Sequence, residues 1–338
     1  MTPTELTEGR TRLVTSPKVF FNPVMESNRT ITVSILNNFF KKPFTAIDAL
    51  AGSGAKGLRI ANETLAEKVI LNDLNPSSRA LMEKGIALNK LKNVEICAED
   101  ANVLLSRHKY SANFVDIDPF GSPAPFADAA CRALLPKDAV LALTATDTGA
   151  LAGSFPTAAR RRYDVKVERT PFYNELGIRG LAGFAVRTAA KYDVGLSVLF
   201  AHATRHYYRV YLRTHRGATV ADKAVNMVKP LLYCPKCGAM EYAEFGESAE
   251  CHGTMHALGP IWAGPIYEEN LFGELDTALP FFDMHVLYKR WGRGPEKFES
   301  IQEKLHAAGF KTSRTHFNPH AIRCDAPFKD FKAALSRA

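Results

Sequence analysis

Residues 113–123 read NFVDIDPFGSP, an apolar run that passes straight into carboxylates. Buried strands rarely carry ionised side chains without a partner or a task. Asp118 closes the run. Pro119 behind it lacks an N–H and stiffens the turn, and Phe120 offers a ring face for stacking. The chemistry that suits this trio is work on an amine attached to a flat ring. The lone pair of such an amine is delocalised, and a carboxylate hydrogen-bonded to its N–H draws the pair out of conjugation and takes the proton. Asp-Pro also begins ordinary turns. Against that reading, Asp48, Asp73 and Asp100 each close another apolar run, so four acids are aimed at one edge. Asp116, two residues before Asp118, is read as structural or as a group that positions it.

Upstream, DALAGSGAKG (48–57) sets Gly52, Gly54 and Gly57 in G-x-G-x-x-G spacing. Small residues let a backbone approach a ligand, and the helix that follows favours negative charge at its N-terminus. Asp73 stands about twenty residues on, where a carboxylate accepts ribose hydroxyls. NAD and S-adenosyl-L-methionine both fit this constellation. Two features favour S-adenosyl-L-methionine. AED (98–100) ends a third apolar run with Asp100, able to reach an adenine amino group. An oxidoreductase would leave Asp118, Pro119 and Phe120 without a task.

The elements that must hold these residues alternate. FTAIDALA (44–51), KVILND (68–73), NVEICAED (93–100), NFVDID (113–118) and AVLALTATD (139–147) read as strands. GLRIANETLA (57–66), PSSRALMEKGIALNKL (76–91) and DAACRALLP (128–136) read as helices, the second capped by Asn75 or Ser77. This alternation predicts an α/β fold, a Rossmann-like parallel sheet covered by helices, with ligands at the carboxyl ends of the strands. A further helix is expected near 178–192 and two more strands at 194–203 and 207–213. Beyond them glycine, proline and cysteine become frequent. A boundary near 216 therefore separates a catalytic domain (1–215) from a smaller α+β C-terminal domain (216–338). No internal repeat or low-complexity tract is present.

These motifs in this order resemble the tRNA (guanine-26-N2)-dimethyltransferases in the short form typical of archaea. The resemblance runs nearly end to end, through VFFNPVMESNR (19–29), DALAGSGAKGLR (48–59), LNDLNP (71–76), ED (99–100) and DIDPFGSP (116–123). It continues in LTATDTGALAG (143–153), YNELGIR (173–179), HYYRVYLR (206–213), GPIWAGPI (259–266) and THFNPHAIRCDAP (315–327). It implies a class I S-adenosyl-L-methionine-dependent methyltransferase that converts guanine 26 of tRNA to its N2-methyl and then N2,N2-dimethyl form. Arg29 and Arg59 would meet the cofactor from the methionyl side. Asp48, Gly52 and Gly54 would form the turn around it, Asp73 would hold the ribose, and Asp100 with Ala101 the adenine. Asp118 would be catalytic, and Phe20, Pro119 and Phe120 would hold the target base. Thr30 stands where the family usually has Asp. AGSGAKG replaces a Ser-x-Thr/Ser-Gly-Ile-Arg pattern, so Lys56 does part of an arginine's work or points to solvent. Another guanine such as position 27 remains an alternative target, and a non-catalytic tRNA-binding protein an alternative class.

Of six cysteines, Cys97, Cys131 and Cys324 read as plain thiols. CPKC (234–237) and CHGT (251–254) resemble two zinc knuckles, with Thr254 where the family has its fourth cysteine. Structural zinc takes four tetrahedral N or S ligands. Cys234, Cys237 and Cys251 with His252 or His256 would supply them, unless the metal has been lost. The cluster spans 234–256 within the C-terminal domain.

With 46% hydrophobic and 23% charged residues the composition excludes a disordered chain, and no apolar run is long enough to span a membrane. The polar N-terminus lacks an apolar leader segment, so a cytoplasmic protein is expected. The net charge of +8 suits a polyanionic partner. Basic residues gather at 10–14, 159–166, 203–216 and 288–294. HYYRVYLR reads as a strand with solvated arginines. YKRWGRG (288–294), taken as a glycine-rich loop, is expected to touch the tRNA backbone. No protein partner is implied.

Overall fold

The apolar runs between residues 44 and 145 form parallel strands, as their spacing predicts. The computed structural model describes residues 3–204, 206–268 and 277–336. Arg205, inside the basic run at 203–216, lies outside the described residues. The chain divides into two compact units, Met1–Pro119 with Pro125–Leu143, and Phe120–Ala124 with Thr144–Ala338.

The first unit opens with a hairpin of β1 (Thr4–Glu8) and β2 (Thr11–Thr15), then α1 (Glu26–Phe39). The alternating part follows as β3 (Phe44–Asp48), α2 (Ala55–Glu63), β4 (Ala66–Asn72), α3 (Pro76–Asn89), β5 (Val94–Cys97), α4 (Ala101–Arg107), β6 (Phe114–Ile117), α5 (Ala124–Ala133) and β7 (Val140–Ala145). Pairing is parallel in the order β5-β4-β3-β6-β7. Every residue of β6 and β7 is buried, the mark of strands covered on both faces. Asn75, not Ser77, caps α3 by accepting from the Ser77 N–H. Gly54 turns the chain into α2 with φ of 80°, and a Cβ there would stand 2.9 Å from Met82 Cγ. A Cβ on Gly57 would stand 2.0 Å from Leu71 Cδ2, so only glycine lets α2 lie this hard against β4.

The second unit contains α6 (Thr148–Leu151), α7 (Pro156–Tyr163), α8 (Tyr173–Ala190), the antiparallel pair β8 (Val194–Ala203) and β9 (Tyr208–Arg216), and α9 (Ala218–Asn226). β10 (Val228–Tyr233), β11 (Met240–Tyr242) and β12 (His256–Trp262) form an antiparallel sheet in the order β11-β10-β12. β13 (Phe282–Asp283), β14 (Thr312–Arg314) and β15 (Ala321–Cys324) form another, accompanied by helices Met284–Arg290, Phe298–Ala307 and Phe328–Ser336. The boundary expected near 216 falls inside this unit, between β9 and α9. Helix α8 packs on β8 before that point and on β12 after it. Among the described residues no helix is long and apolar enough to cross a membrane.

Candidate active site

Parallel register sets Asp48 of β3 beside Asp116 of β6, and Asp118 follows one residue beyond the end of β6. Asp48 and Asp116 are buried. Burial, then the charge of Asp116, pushes the Asp48 carboxyl up to about 7, and Lys56 opposes the rise. Lys56 is itself only 7% exposed. Its Nζ lies 3.1 Å from Asp116 Oδ1 and 2.5 Å from Asp118 Oδ2. The Gly57 N–H donates to Asp48 Oδ2 at 3.1 Å. Three carboxyl groups thus gather about one ammonium. Of the two readings given for Lys56, the solvent-facing one does not hold: like-charge crowding at two neighbouring strand ends draws the cation inward.

The glycine turn is tied to the next strand end. The Gly52 N–H donates to Asp73 Oδ2 at 2.7 Å, and the Asn75 N–H to Asp73 Oδ1 at 2.8 Å. Asp100 caps α4, accepting from Asn102 and Val103, and Ala101 begins that helix. Asp48, Asp73, Asp100 and Asp118 therefore stand at or just beyond the carboxyl ends of β3, β4, β5 and β6. The two expected cofactor-side arginines are buried and already engaged. Arg29 grips Glu8 through Nε at 2.7 Å and Nη2 at 2.6 Å. Arg59 binds Glu63 at 2.9 Å and Thr30 Oγ1 at 2.9 Å, with Glu8 3.8 Å away. Thr30, the departure from the family pattern, is thus an Arg59 partner. Asn28, wholly buried on α1 next to Arg29, has neither Nδ2 nor Oδ1 hydrogen-bonded among the described residues. Backbone freed by glycine, a carboxylate pinned to that turn and an unsatisfied buried amide fit a ligand with ribose hydroxyls and an amino-acid end.

Phe20 is 56% and Phe120 75% exposed, unusual for large aromatic side chains. A Cβ on Gly52 would lie 3.3 Å from the Phe20 carbonyl oxygen, so the bare glycine admits the Phe20 backbone against the turn. In the second unit, Gly121 takes φ of 85° and its N–H donates to Thr146 Oγ1 at 2.6 Å. The Thr146 N–H donates back to the Gly121 carbonyl at 2.9 Å. Phe120–Ala124 is thereby fastened to the segment after β7. A recess of about 620 Å³ opens there, lined by Asp147, Ser154, exposed Phe155, Arg161 and Arg162 among others.

The cysteine cluster selects its histidine. Cys234, Cys237, Cys251 and His252 bring their donor atoms within 4.8 Å of one another. Cys251 Sγ lies 3.1 Å from His252 Nδ1 and 3.4 Å from Cys237 Sγ. His256 is turned to Glu168 at 2.9 Å, and Thr254 donates to Glu250. The set fits tetrahedral Cys3His zinc. Purified protein is expected to hold about one zinc per chain, measured by plasma mass spectrometry. Cys237→Ser should abolish that content and lower the melting temperature by at least about 5 °C, since metal binding to a site absent from the unfolded chain is folding energy. Full zinc content in Cys237→Ser would refute this site.

Two expectations for basic segments are corrected: that YKRWGRG is a glycine-rich loop, and that the arginines of HYYRVYLR are solvated. Tyr288–Arg290 is helical, Arg290 donates to the Tyr233 hydroxyl, and Trp291 donates to the Cys237 carbonyl. Arg293 binds the Leu335 carbonyl. In YKRWGRG, Tyr288 is buried, Arg290, Trp291 and Arg293 are half-buried and engaged by the fold beside the cysteine cluster, and Lys289 is exposed. In HYYRVYLR, Arg209 is fully buried against Tyr211 and Thr144 rather than solvated.

A family model described as N2,N2-dimethylguanosine tRNA methyltransferase matches residues 3–280 and 271–336. The chain belongs to this family. The tRNA (guanine(26)-N(2))-dimethyltransferase of Methanococcus maripaludis strain C7 is 36% identical over 371 residues, covering 98% of this chain and 97% of its own length. The protein of the same description from Methanopyrus kandleri is 38% identical over 372 residues, covering 98% and 96%. Trm1 from Pyrococcus horikoshii, solved in complex with S-adenosyl-L-methionine, aligns with a TM-score of 0.90 at 30% identity, covering 98% of this chain and 99% of its own. The family and the fold expected from the motifs both hold.

Within the dimethylguanosine methyltransferase frame, sequence reasoning missed Glu8, the shared partner of Arg29 and Arg59, and the inward course of Lys56. The signal for Lys56 was available. Three acids ending adjacent strands need a cation, and the glycine turn carries one lysine.

Proposed function

We propose that this chain transfers methyl groups from S-adenosyl-L-methionine to N2 of guanine 26 in tRNA, giving N2-methylguanosine and then N2,N2-dimethylguanosine. The observation that carries the reading is Asp118, held by Lys56 at the end of β6 and followed by Pro119 and the exposed ring of Phe120. S-adenosyl-L-methionine, when bound, supplies an electrophilic methyl group. The glycine turn at Gly52 and Gly54, with Asp73, Asp100 and Ala101, would hold its nucleoside, and Asn28 and Arg29 would face its amino-acid end. Asp118 accepts a hydrogen bond from the guanine N2–H and takes the proton as N2 gains the methyl. The exposed rings of Phe20 and of Phe120 each offer a face for stacking on a base. A guanine inside folded tRNA must leave its stack to be reached, and exposed aromatic faces repay part of that cost. An enzyme acting on tRNA in this way would belong in the cytoplasm with its substrate.

An unmodified tRNA transcript with guanine at position 26, its adenine-26 counterpart and labelled cofactor test the reading. Label in N2-methyl- and N2,N2-dimethylguanosine from the guanine transcript alone is expected. Label from both transcripts would move the target to another guanine such as position 27. No label from either, with tRNA still bound, would leave a non-catalytic tRNA-binding protein.

The recess after β7 is proposed as a tRNA contact, in place of YKRWGRG. It joins an exposed ring to arginines, as stacking and phosphate contacts require. Phe155→Ala with Arg161→Ala is expected to raise KM for tRNA by about tenfold while kcat changes by less than about threefold. An unchanged KM would remove the recess from the tRNA interface.

A further inference from the structure

We propose that Lys56 is a positioning residue for the methyl transfer, its ammonium keeping Asp118 ionised and fixed in orientation among three carboxyl groups so that it accepts a proton at neutral pH. The inference rests on the reading of Asp118 as the proton acceptor.

The geometry carries it. Among the groups that act on one another here are Asp48 of β3, Asp116 and Asp118 at the end of β6, and Lys56 in the first turn of α2. If Lys56 served only to neutralise a buried charge, Asp116 would suffice as its partner, since that side chain is wholly inaccessible. The ammonium instead reaches past Asp116 and makes its shorter contact, 2.5 Å, with Asp118, whose side chain is 19% exposed. The cation is thus shared between a buried acid and the acid at the open edge. Carboxylates this close cannot all stay ionised without a cation among them. Without Lys56 the cluster would take up protons, and a protonated Asp118 would donate to an incoming amine rather than accept from it. In the reaction Asp118 gains the N2 proton, and Asp116 remains to balance Lys56. From the exposed edge, Asp118 then passes its proton to solvent before the second methylation.

The test is the pH dependence of single-turnover methylation of a guanine-26 transcript at saturating cofactor. In Lys56→Met the acid limb should move up by about one pH unit or more, a tenfold loss on that limb, with rates converging to within about threefold at high pH. Lys56→Arg should keep the limb in place. Adding Asp116→Asn to Lys56→Met removes the neighbouring negative charge and should move the limb back. A uniform loss at every pH in Lys56→Met, or no return in the double variant, would overturn the proposal and leave Lys56 purely structural. Undiminished activity in Asp118→Asn would instead refute the reading on which it rests. A measurement on the unmodified enzyme does not depend on any variant folding. Carboxyl 13C NMR, assigned by through-bond correlation to the backbone, should find Asp118 ionised throughout pH 6–8 while Asp48 titrates. Titration of Asp118 inside that window would refute the role of Lys56.

Discussion

Asp118→Asn is expected to lower single-turnover methylation of a guanine-26 transcript by roughly 10³-fold, with affinities for cofactor and tRNA changed by less than about threefold. Asparagine keeps the shape of the side chain and an oxygen for Lys56. It cannot take a proton. The guanine amine is a weak nucleophile because its lone pair belongs to the ring, so the loss falls on the chemical step rather than on binding. The buried ammonium keeps Asp116 at 3.1 Å, so the cluster is not stripped of its counter-charge and the fold should survive. Single-turnover rates and equilibrium binding separate the outcomes. A rate within tenfold of the unmodified enzyme would remove Asp118 as proton acceptor. Equal losses of rate and cofactor affinity would assign it to cofactor binding.

What was legible in the sequence was what depends on local periodicity. Apolar runs ending in acids gave the strands and the edge where the candidate site lies, and glycine spacing gave the turn at Gly52 and Gly54. What was hidden depends on partners far along the chain. Lys56 meets Asp116 and Asp118 from 60 and 62 residues away. Arg29 is neutralised by Glu8 from a hairpin whose alternating polar residues look like surface. Arg209 reads as a solvated strand residue, yet it lies between Tyr211 and Thr144 in the core. YKRWGRG looked like a loop because it contains two glycines, but Leu287 and Tyr288 bury a helical face ahead of them. The choice between His252 and His256 was likewise set by a partner, Glu168, 88 residues away. Charge balance across neighbouring elements, rather than periodicity, was the missing rule.

The same rule sets the largest stability effect. Glu175 of α8 is wholly buried between Arg179, one turn along the helix, and Arg323 of β15. Its Oε1 accepts from Arg179 Nε at 2.9 Å and from Arg323 Nη1 at 3.2 Å. Its Oε2 accepts from Arg323 Nη2 at 2.9 Å and from the Phe281 N–H at 3.1 Å. Arg179 in turn donates to the carbonyls of Trp262, Gly264 and Thr277. One carboxylate thus joins helix α8 to Phe281 and Arg323, 106 and 148 residues later, and both guanidiniums share it. Burial pushes the Glu175 carboxyl up, but Arg323 and Arg179 outweigh burial and hold it below its ordinary value. Glu175→Gln keeps the shape and removes the charge that Arg179 and Arg323 share in the core. The expected cost is about 3–5 kcal/mol, a large part of a typical domain's stability. Urea unfolding followed by tryptophan fluorescence measures it well, because both tryptophans, Trp262 and Trp291, belong to the second unit. A carboxyl held low contributes stability that is complete above its unfolded-chain value and fades as pH falls through its folded-state value. The penalty of Glu175→Gln should therefore be full at neutral pH and shrink in acid. Adding Arg323→Met removes one of the two cations that face position 175 and should recover part of the loss. A penalty below about 1 kcal/mol at neutral pH, or one that grows in acid, would mean that the carboxylate is not what holds these segments together.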